Sequence, residues 1–378
     1  MGQKLDTESG AKPATDGHPA PRPPEVAFSS NAVRLSVRQW VVVGLFALVM
    51  VFGAPSLWKK VEKFDLEPDY RVPYDLSGDY WLYDRYARLA ADRYDTLLIG
   101  DSVIWGQYVT RQQTLSHYLN ELAGRERFAN LGLDGAHPAA LAGLLEHYAA
   151  GVKGKEVVLL CNPLWMSSPR HDLQEDEEFR FNHPELVPQF VPRIPCYKEE
   201  TSRRIGHVIG RNVPFTGWTN HLQQAYFDRM SIPQWTLEHP SEDPLKPLTQ
   251  GLPPSDNLLR HQPVPWTRQG IKPQGFPWVE LDESFQWHSF QRAVEVLERR
   301  GNRVFVLVGP FNEHMLNAAS RRRYGQIKQA IGAWLEERHV AYAIPRVLPS
   351  EEYADASHPL SDGYRRLAQR LFEERFFK

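Results

Sequence analysis

The stretch Leu97–Gly106, LLIGDSVIWG, constrains this chain most, because an apolar run meets Gly-Asp-Ser and passes at once into a second, helix-like run. Thr96 to Ile99 suit a buried strand, and Gly100 permits a sharp turn where a β-carbon would collide. Ser102 then stands at a strand's carboxyl end, where open α/β sheets keep their ligand crevices. Backbone N–H groups at the start of the following helix are ready donors to an anion. A serine at that corner also suits a helix N-cap, so the tripeptide alone leaves two roles open, nucleophile and cap.

Downstream the pattern alternates. Helices are expected near Thr114–Ala123 and Pro138–Ala149, and strands at Arg127–Asn130 and Glu156–Cys161. After a break it resumes with a helix near Ser284–Arg300, a strand Arg303–Val308, a helix near Ala318–Arg338 and a strand Val340–Ile344. A last helix is expected over Ser361–Phe376. Five strands alternating with helices predict an α/β fold with three α/β/α layers and a five-stranded, parallel, doubly wound sheet. Between residues 165 and 282 prolines and tryptophans are frequent, and only Thr201–Met230 reads as helical. A structureless loop of that length is uncommon inside a compact domain. Residues 165–282 are therefore read as an inserted cap or subdomain after strand three, its aromatic side chains forming a small core of their own.

The chain before residue 95 divides into three pieces. Residues 1–37 combine Pro, Ser, Ala and charge without apolar periodicity, as in Pro19-Ala-Pro-Arg-Pro-Pro, which predicts a disordered tail. Residues 38–58, carrying VVVGLFALVMVF between Trp40 and Trp58, are long and apolar enough for a transmembrane anchor with an aromatic residue at each interface. A cleaved signal peptide is the competing reading, but Phe52-Gly-Ala-Pro lacks a small-x-small cleavage site. Residues 59–94 are read as a juxtamembrane linker and an amphipathic helix beginning near Tyr80. Arg34 and Arg38 precede the apolar segment and Lys59, Lys60 and Lys63 follow it, so flanking charge does not orient it. A single pass with the large domain outside the cytoplasm is the expectation, since long domains translocate largely regardless of charge.

Composition excludes a multi-span membrane protein and wholesale disorder, with 42% hydrophobic residues, and a net charge of −2 offers no case for nucleic acid as a partner. Two cysteines, Cys161 and Cys196, cannot make a disulfide framework; a bridge between them is allowed but not implied. No HExxH, CxxC pair or acidic cluster points to a metal, and no phosphate-binding loop or GxGxxG to a nucleotide, so no cofactor is expected.

The predicted strand ends carry further polar blocks: Asn130-Leu-Gly-Leu-Asp-Gly135 after the second, Cys161-Asn162-Pro163 after the third, and Asp355-Ala-Ser-His358-Pro359 after the fifth. With GDSxxxG at Gly100–Gly106, these four blocks, in this order, resemble those of the SGNH (GDSL-type) hydrolase and acyltransferase superfamily, over about residues 95–165 and 284–378. The resemblance implies a flavodoxin-like sheet and an acyl-serine intermediate, with Ser102 as nucleophile, His358 as general base and Asp355 orienting it. It also implies an oxyanion hole of the Ser102 and Gly135 N–H groups and the Asn162 side chain. Singly, each residue has a plainer alternative: Asn162 as a turn cap, Gly135 as a positive-φ position, Asp355 as a cap of the last helix. Asn312 and His314 after strand four, and His137 after the glycine block, are candidates for lining the substrate, with loops bonding their own backbone as the alternative.

The third block departs from the hydrolytic Gly-x-Asn-Asp, reading Leu160-Cys-Asn162-Pro163. With the anchor and the insertion, this looks more like the membrane-tethered branch that serves polysaccharide O-acetylation and teichoic acid D-alanylation. That resemblance implies an acylated cell-envelope polysaccharide as substrate and a multi-span membrane acyltransferase as possible partner. A non-catalytic, membrane-tethered glycan-binding or acyltransferase-partner scaffold on the same fold is the alternative.

Overall fold

The computed structural model describes residues 35–252, 254–255 and 259–377. The tail expected over residues 1–37 lies, apart from its last three residues, outside them. The chain divides into two compact units, one ending at Met50 and one running from Val51. The described part of the first is the start of helix α1, Val37–Val61, which is 25 residues long. At 1.5 Å per residue that length is about 37 Å, more than the roughly 30 Å of a bilayer's hydrocarbon core. It is the one helix among the described residues that is long and apolar enough to cross a membrane, and it runs three residues past the expected end at residue 58.

The second unit holds helix α2 (Tyr80–Arg93), then β1 (Thr96–Gly100), α3 (Ser102–Trp105), α4 (Leu115–Ala123), β2 (Phe128–Gly132), α5 (Pro138–Tyr148) and β3 (Glu156–Cys161). Helices α6 (Thr201–Asn212), α7 (Pro214–Tyr226) and α8 (Ile232–Glu238) form the inserted segment. The chain closes with α9 (Phe285–Arg299), β4 (Arg303–Val308), α10 (Ala318–Glu337), β5 (Ala341–Ala343) and α11 (Ser361–Phe372). All five strands are parallel, in the order β2-β1-β3-β4-β5. This doubly wound order reverses direction between β1 and β3, which opens a crevice beyond their carboxyl ends.

The strands are buried on both faces, and their side chains alternate between two helical layers. Leu97, Ile99, Val157, Leu159, Val304 and Val306 pack with α2, α5, α9 and α10. Leu98, Val158, Leu160, Phe305 and Leu307 pack with α3, α4 and α11. The inserted segment has its own small cluster, in which Leu222, Tyr226, Phe227 and Trp235 pack with Trp58 and Trp218. Helix α6 contributes no buried residue and exposes Ile205, Val208 and Ile209. Cys161 and Cys196 are both buried free thiols.

A buried polar cluster joins the segment before the sheet to the insertion. His221 of α7 lies with Nε2 at 2.7 Å from Glu62 Oε1 and Nδ1 at 2.6 Å from Asp79 Oδ2, and all three side chains are inaccessible or nearly so. Glu62 also accepts from the Tyr226 hydroxyl at 2.6 Å and from Trp58 Nε1 at 3.0 Å, and it pairs with Arg85. Asp79 accepts from Leu82 N–H and so caps α2. Every acceptor in the cluster is therefore met, as buried charge requires.

Candidate active site

The crevice end of β1 is shaped by close approach. A β-carbon on Gly100 would lie 2.6 Å from the Ile104 side chain and 2.7 Å from that of Leu160, so only glycine allows α3 to fold back on the sheet here. Asp101, not Ser102, is the N-cap of α3: its Oδ1 accepts from Val103 N–H at 2.9 Å. Its Oδ2 accepts from Asn162 Nδ2 and Trp165 Nε1, each at 2.8 Å. With the cap supplied by its neighbour, Ser102 becomes the first helical residue and its hydroxyl is left for another partner. Asn130 fastens the helix from β2, donating to the Ile104 carbonyl at 2.8 Å.

That partner is His358. The Ser102 hydroxyl lies 2.8 Å from His358 Nε2, across 256 positions of sequence. On the other side of the ring, Nδ1 lies 2.8 Å from both carboxylate oxygens of Asp355. Asp355 Oδ1 also accepts from the Ser357 and His358 N–H groups, at 2.9 and 3.0 Å, which closes a tight turn around the carboxylate. With Nδ1–H donating to Asp355, the remaining ring nitrogen is an acceptor facing the hydroxyl.

The electrostatics follow from this packing. Burial pushes the His358 imidazole down, but the Asp355 carboxylate, with Asp101 and Asp134 behind it, outweighs burial and moves it above its ordinary value. Burial likewise pushes the Asp355 carboxyl up, and the His358 charge together with the three hydrogen bonds to Asp355 brings it down to about 2. The histidine is thus a stronger base than a free imidazole, and its partner stays ionised.

Asn162, nearly inaccessible, holds two of its groups in place: Oδ1 accepts from Leu164 N–H at 3.1 Å, capping the turn after β3, while Nδ2 binds Asp101. An amide carries two N–H donors, so one remains after the Asp101 bond. Gly135 has a φ of +69°, a conformation that favours glycine, and a β-carbon there would come within 2.1 Å of the Asn182 side-chain amide nitrogen, so that side chain would have to move for any larger residue.

The three loop residues offered by the sequence as lining the substrate are engaged elsewhere. Asn312 is fully buried and donates to the Asp355 carbonyl at 3.0 Å, bracing the loop that carries the carboxylate. His314 Nε2 meets the Leu348 carbonyl at 3.0 Å. His137 is the N-cap of α5 and faces the Asn182 carbonyl at 3.1 Å; burial, with His183 nearby, pushes its imidazole down to about 3.

Other residues border the relay instead. The Tyr108 ring lies 5.5 Å from that of His358 and 5.4 Å from that of His261, which belongs to the insertion. Burial and the Asp355 carboxylate push the Tyr108 phenol up to about 12, so it remains a hydrogen-bond donor. Gln107 Nε2 reaches His261 Nε2 at 3.1 Å. Asp134, one residue before Gly135, has its carboxyl pushed up by burial while the His358 charge opposes that. Sequence reasoning missed Tyr108 and His261 because neither belongs to a block at a strand end; Asp134 stood inside a block that was read only for its glycines. No group of three or more His, Cys, Asp or Glu side chains poised for a metal occurs among the described residues.

No protein-family model matches the chain, and no curated protein shows significant sequence similarity to it.

Proposed function

We propose that the chain is a membrane-anchored serine esterase or O-acyltransferase of the SGNH type, acting on O-acyl groups of a cell-envelope or extracellular polysaccharide. The observation that carries this reading is the continuous hydroxyl–imidazole–carboxylate relay of Ser102, His358 and Asp355 at hydrogen-bond distances. A serine hydroxyl becomes nucleophilic when a base removes its proton, and the base needs a carboxylate that fixes its tautomer and stabilises its charged form.

In the first half-reaction Ser102 Oγ attacks the ester carbonyl carbon while its proton passes to His358 Nε2. The oxyanion so formed takes hydrogen bonds from the Ser102 and Gly135 N–H groups and the second amide N–H of Asn162. The tetrahedral species collapses, the C–O bond to the alcohol breaks, and that alcohol leaves with the proton held on His358. In the second half, water or a sugar hydroxyl gives its proton to His358 and attacks the acyl carbon, which returns Ser102 to the free hydroxyl. Water makes the protein an esterase and a sugar hydroxyl makes it an acyltransferase. The apolar helix α1 supports a single-pass anchor, and an extracytoplasmic domain agrees with a surface polymer as substrate.

The test is labelling of the full chain in detergent with a fluorophosphonate, alongside turnover of an aryl acetate. Both are expected in the native protein and absent in Ser102→Ala; labelling or turnover that persists without Ser102 overturns the reading. The exposed apolar residues of α6 favour a second reading, a tethered scaffold for glycan or for a multi-span acyltransferase. Full cellular function of Ser102→Ala would select it.

A further inference from the structure

A cavity of about 350 Å³ lies between the end of β2 and the inserted segment, with Tyr74, Asp134, Asn182, Glu185, Gln224 and Arg229 among its lining residues. Its volume falls at the low end of small-molecule sites, roughly 300–1,000 Å³. It is tied to the nucleophile on two sides. Asp134 sits at the crevice end of β2, where the adjoining Leu133 N–H donates to the Gly100 carbonyl at 3.0 Å. The Tyr74 ring packs at 5.8 Å on Trp105, which belongs to the helix that Ser102 begins. The Asp134 carboxyl is also within electrostatic reach of both His358 and Tyr74.

The lining is poor in alkyl side chains and rich in amide, phenol and carboxyl groups, which suits a polyhydroxylated ring rather than an acyl chain. Its charge is uneven. Arg229 shares Asp75 with Arg260, at 2.6 and 2.9 Å. Glu185 has Arg211 and His183 within electrostatic reach, whereas Asp134 has no ion-pair partner among the described residues, so it is the carboxyl group that the cavity leaves unpaired.

We propose that this cavity holds the sugar ring that bears the ester, and that Asp134 selects neutral or amino sugars over uronic acids. A hydroxyl or ammonium group donates to the Asp134 carboxylate, whereas the carboxylate of a uronic acid meets a like charge at close range in a half-buried site. The inference rests on the serine-ester reading above and adds to it the class of sugar.

The experiment measures how methyl glucoside, methyl glucosaminide and methyl glucuronide slow fluorophosphonate labelling of Ser102 in the full chain in detergent. The first two are expected to protect at concentrations about tenfold or more below that needed with the glucuronide. Asp134→Asn is expected to bring all three within about threefold of one another, and Gln224→Ala to weaken protection by all three alike. Equal protection by the three sugars in the native chain, no protection by any of them, or a preference that survives Asp134→Asn would each overturn the inference and leave the serine-ester reading standing. If Ser102 in folded native protein takes no label at all, the serine-ester reading falls, and the sugar assignment with it.

Discussion

His358 and His221 are both buried imidazoles braced by carboxylates, and they differ in what the second ring nitrogen meets. In His358 one nitrogen faces Asp355 and the other the Ser102 hydroxyl. In His221 both nitrogens face carboxylates, Asp79 and Glu62. The first arrangement leaves a lone pair aimed at a proton that can be moved. The second spends both ring nitrogens on fixed, buried carboxyl groups, so neither faces a hydroxyl. One carboxylate makes a buried histidine a proton acceptor; two make it a clamp between the segment leading out of α1, the cap of α2 and the inserted helix α7.

The widest separation between the two sites is expected from removing the carboxylate of the proposed catalytic set. Asp355→Asn keeps the shape but destabilises the productive tautomer and the imidazolium, and is expected to lower kcat for an aryl acetate by about 10⁴-fold, read by steady-state kinetics. If His221→Ala instead gave that loss in folded protein, the distinction between base and clamp would fail. The expected outcome for His221→Ala is a stability loss of about 3–5 kcal/mol, because Glu62 and Asp79 keep their burial and lose a shared partner. Denaturant unfolding measures this loss, and kcat/KM below the melting temperature should stay within about threefold of the native value.

Asn162→Ala sharpens the contrast from inside the proposed catalytic site. Loss of an oxyanion donor costs on the order of 10²- to 10³-fold in kcat, and labelling of Ser102 is expected to slow without disappearing. An unchanged kcat would show that Asn162 serves only as cap and as donor to Asp101.

The smallest expected effect is in pH dependence. The base works when His358 is neutral, so kcat/KM should rise with pH through a midpoint above 6.5, the imidazole's ordinary value. In Asp355→Asn the residual activity should rise through a lower midpoint, since the largest influence raising that value is gone. Stability follows the same groups with opposite limits. The raised His358 value contributes stability that is present in full below its unfolded pKa of about 6.5 and is lost as pH rises through the higher folded value. The lowered Asp355 value contributes stability present above the unfolded value of about 3.9 and lost as pH falls toward about 2. Their joint contribution is therefore greatest between pH about 4 and 6.5, and Asp355→Asn should flatten the stability profile there.

Much of the sheet was legible because parallel strands buried on both faces are nearly continuous apolar runs. Glu156–Cys161 and Arg303–Val308 have the bounds read from the sequence, while β5 is shorter, at Ala341–Ala343, and α11 stops at Phe372 rather than Phe376. In the insertion the expected helical stretch Thr201–Met230 is two helices, α6 and α7, interrupted at Val213, and α8 lies beyond it. Proline at the first position of α7 starts a new helix there, and α8 is too short for periodicity to reveal.

The site divides along the same line. Local chemistry marks Asp355 and His358, three residues apart in one tight turn, and the Gly100–Ser102 corner is written in a single tripeptide. Asp101 is held by one donor from its own helix, Val103 N–H, and by two from the turn after β3, Asn162 and Trp165, and no local pattern announces the last two. Asn312 supports Asp355 from 43 positions away, and His261 enters the rim from the insertion. The sequence by itself determined the layered fold, the apolar helix and the polar blocks at the strand ends, because periodicity and turn chemistry act over a few residues. Only the tertiary structure decided which histidine meets a hydroxyl, because His358 and Ser102 stand 256 positions apart and are brought together when the sheet buries its two faces.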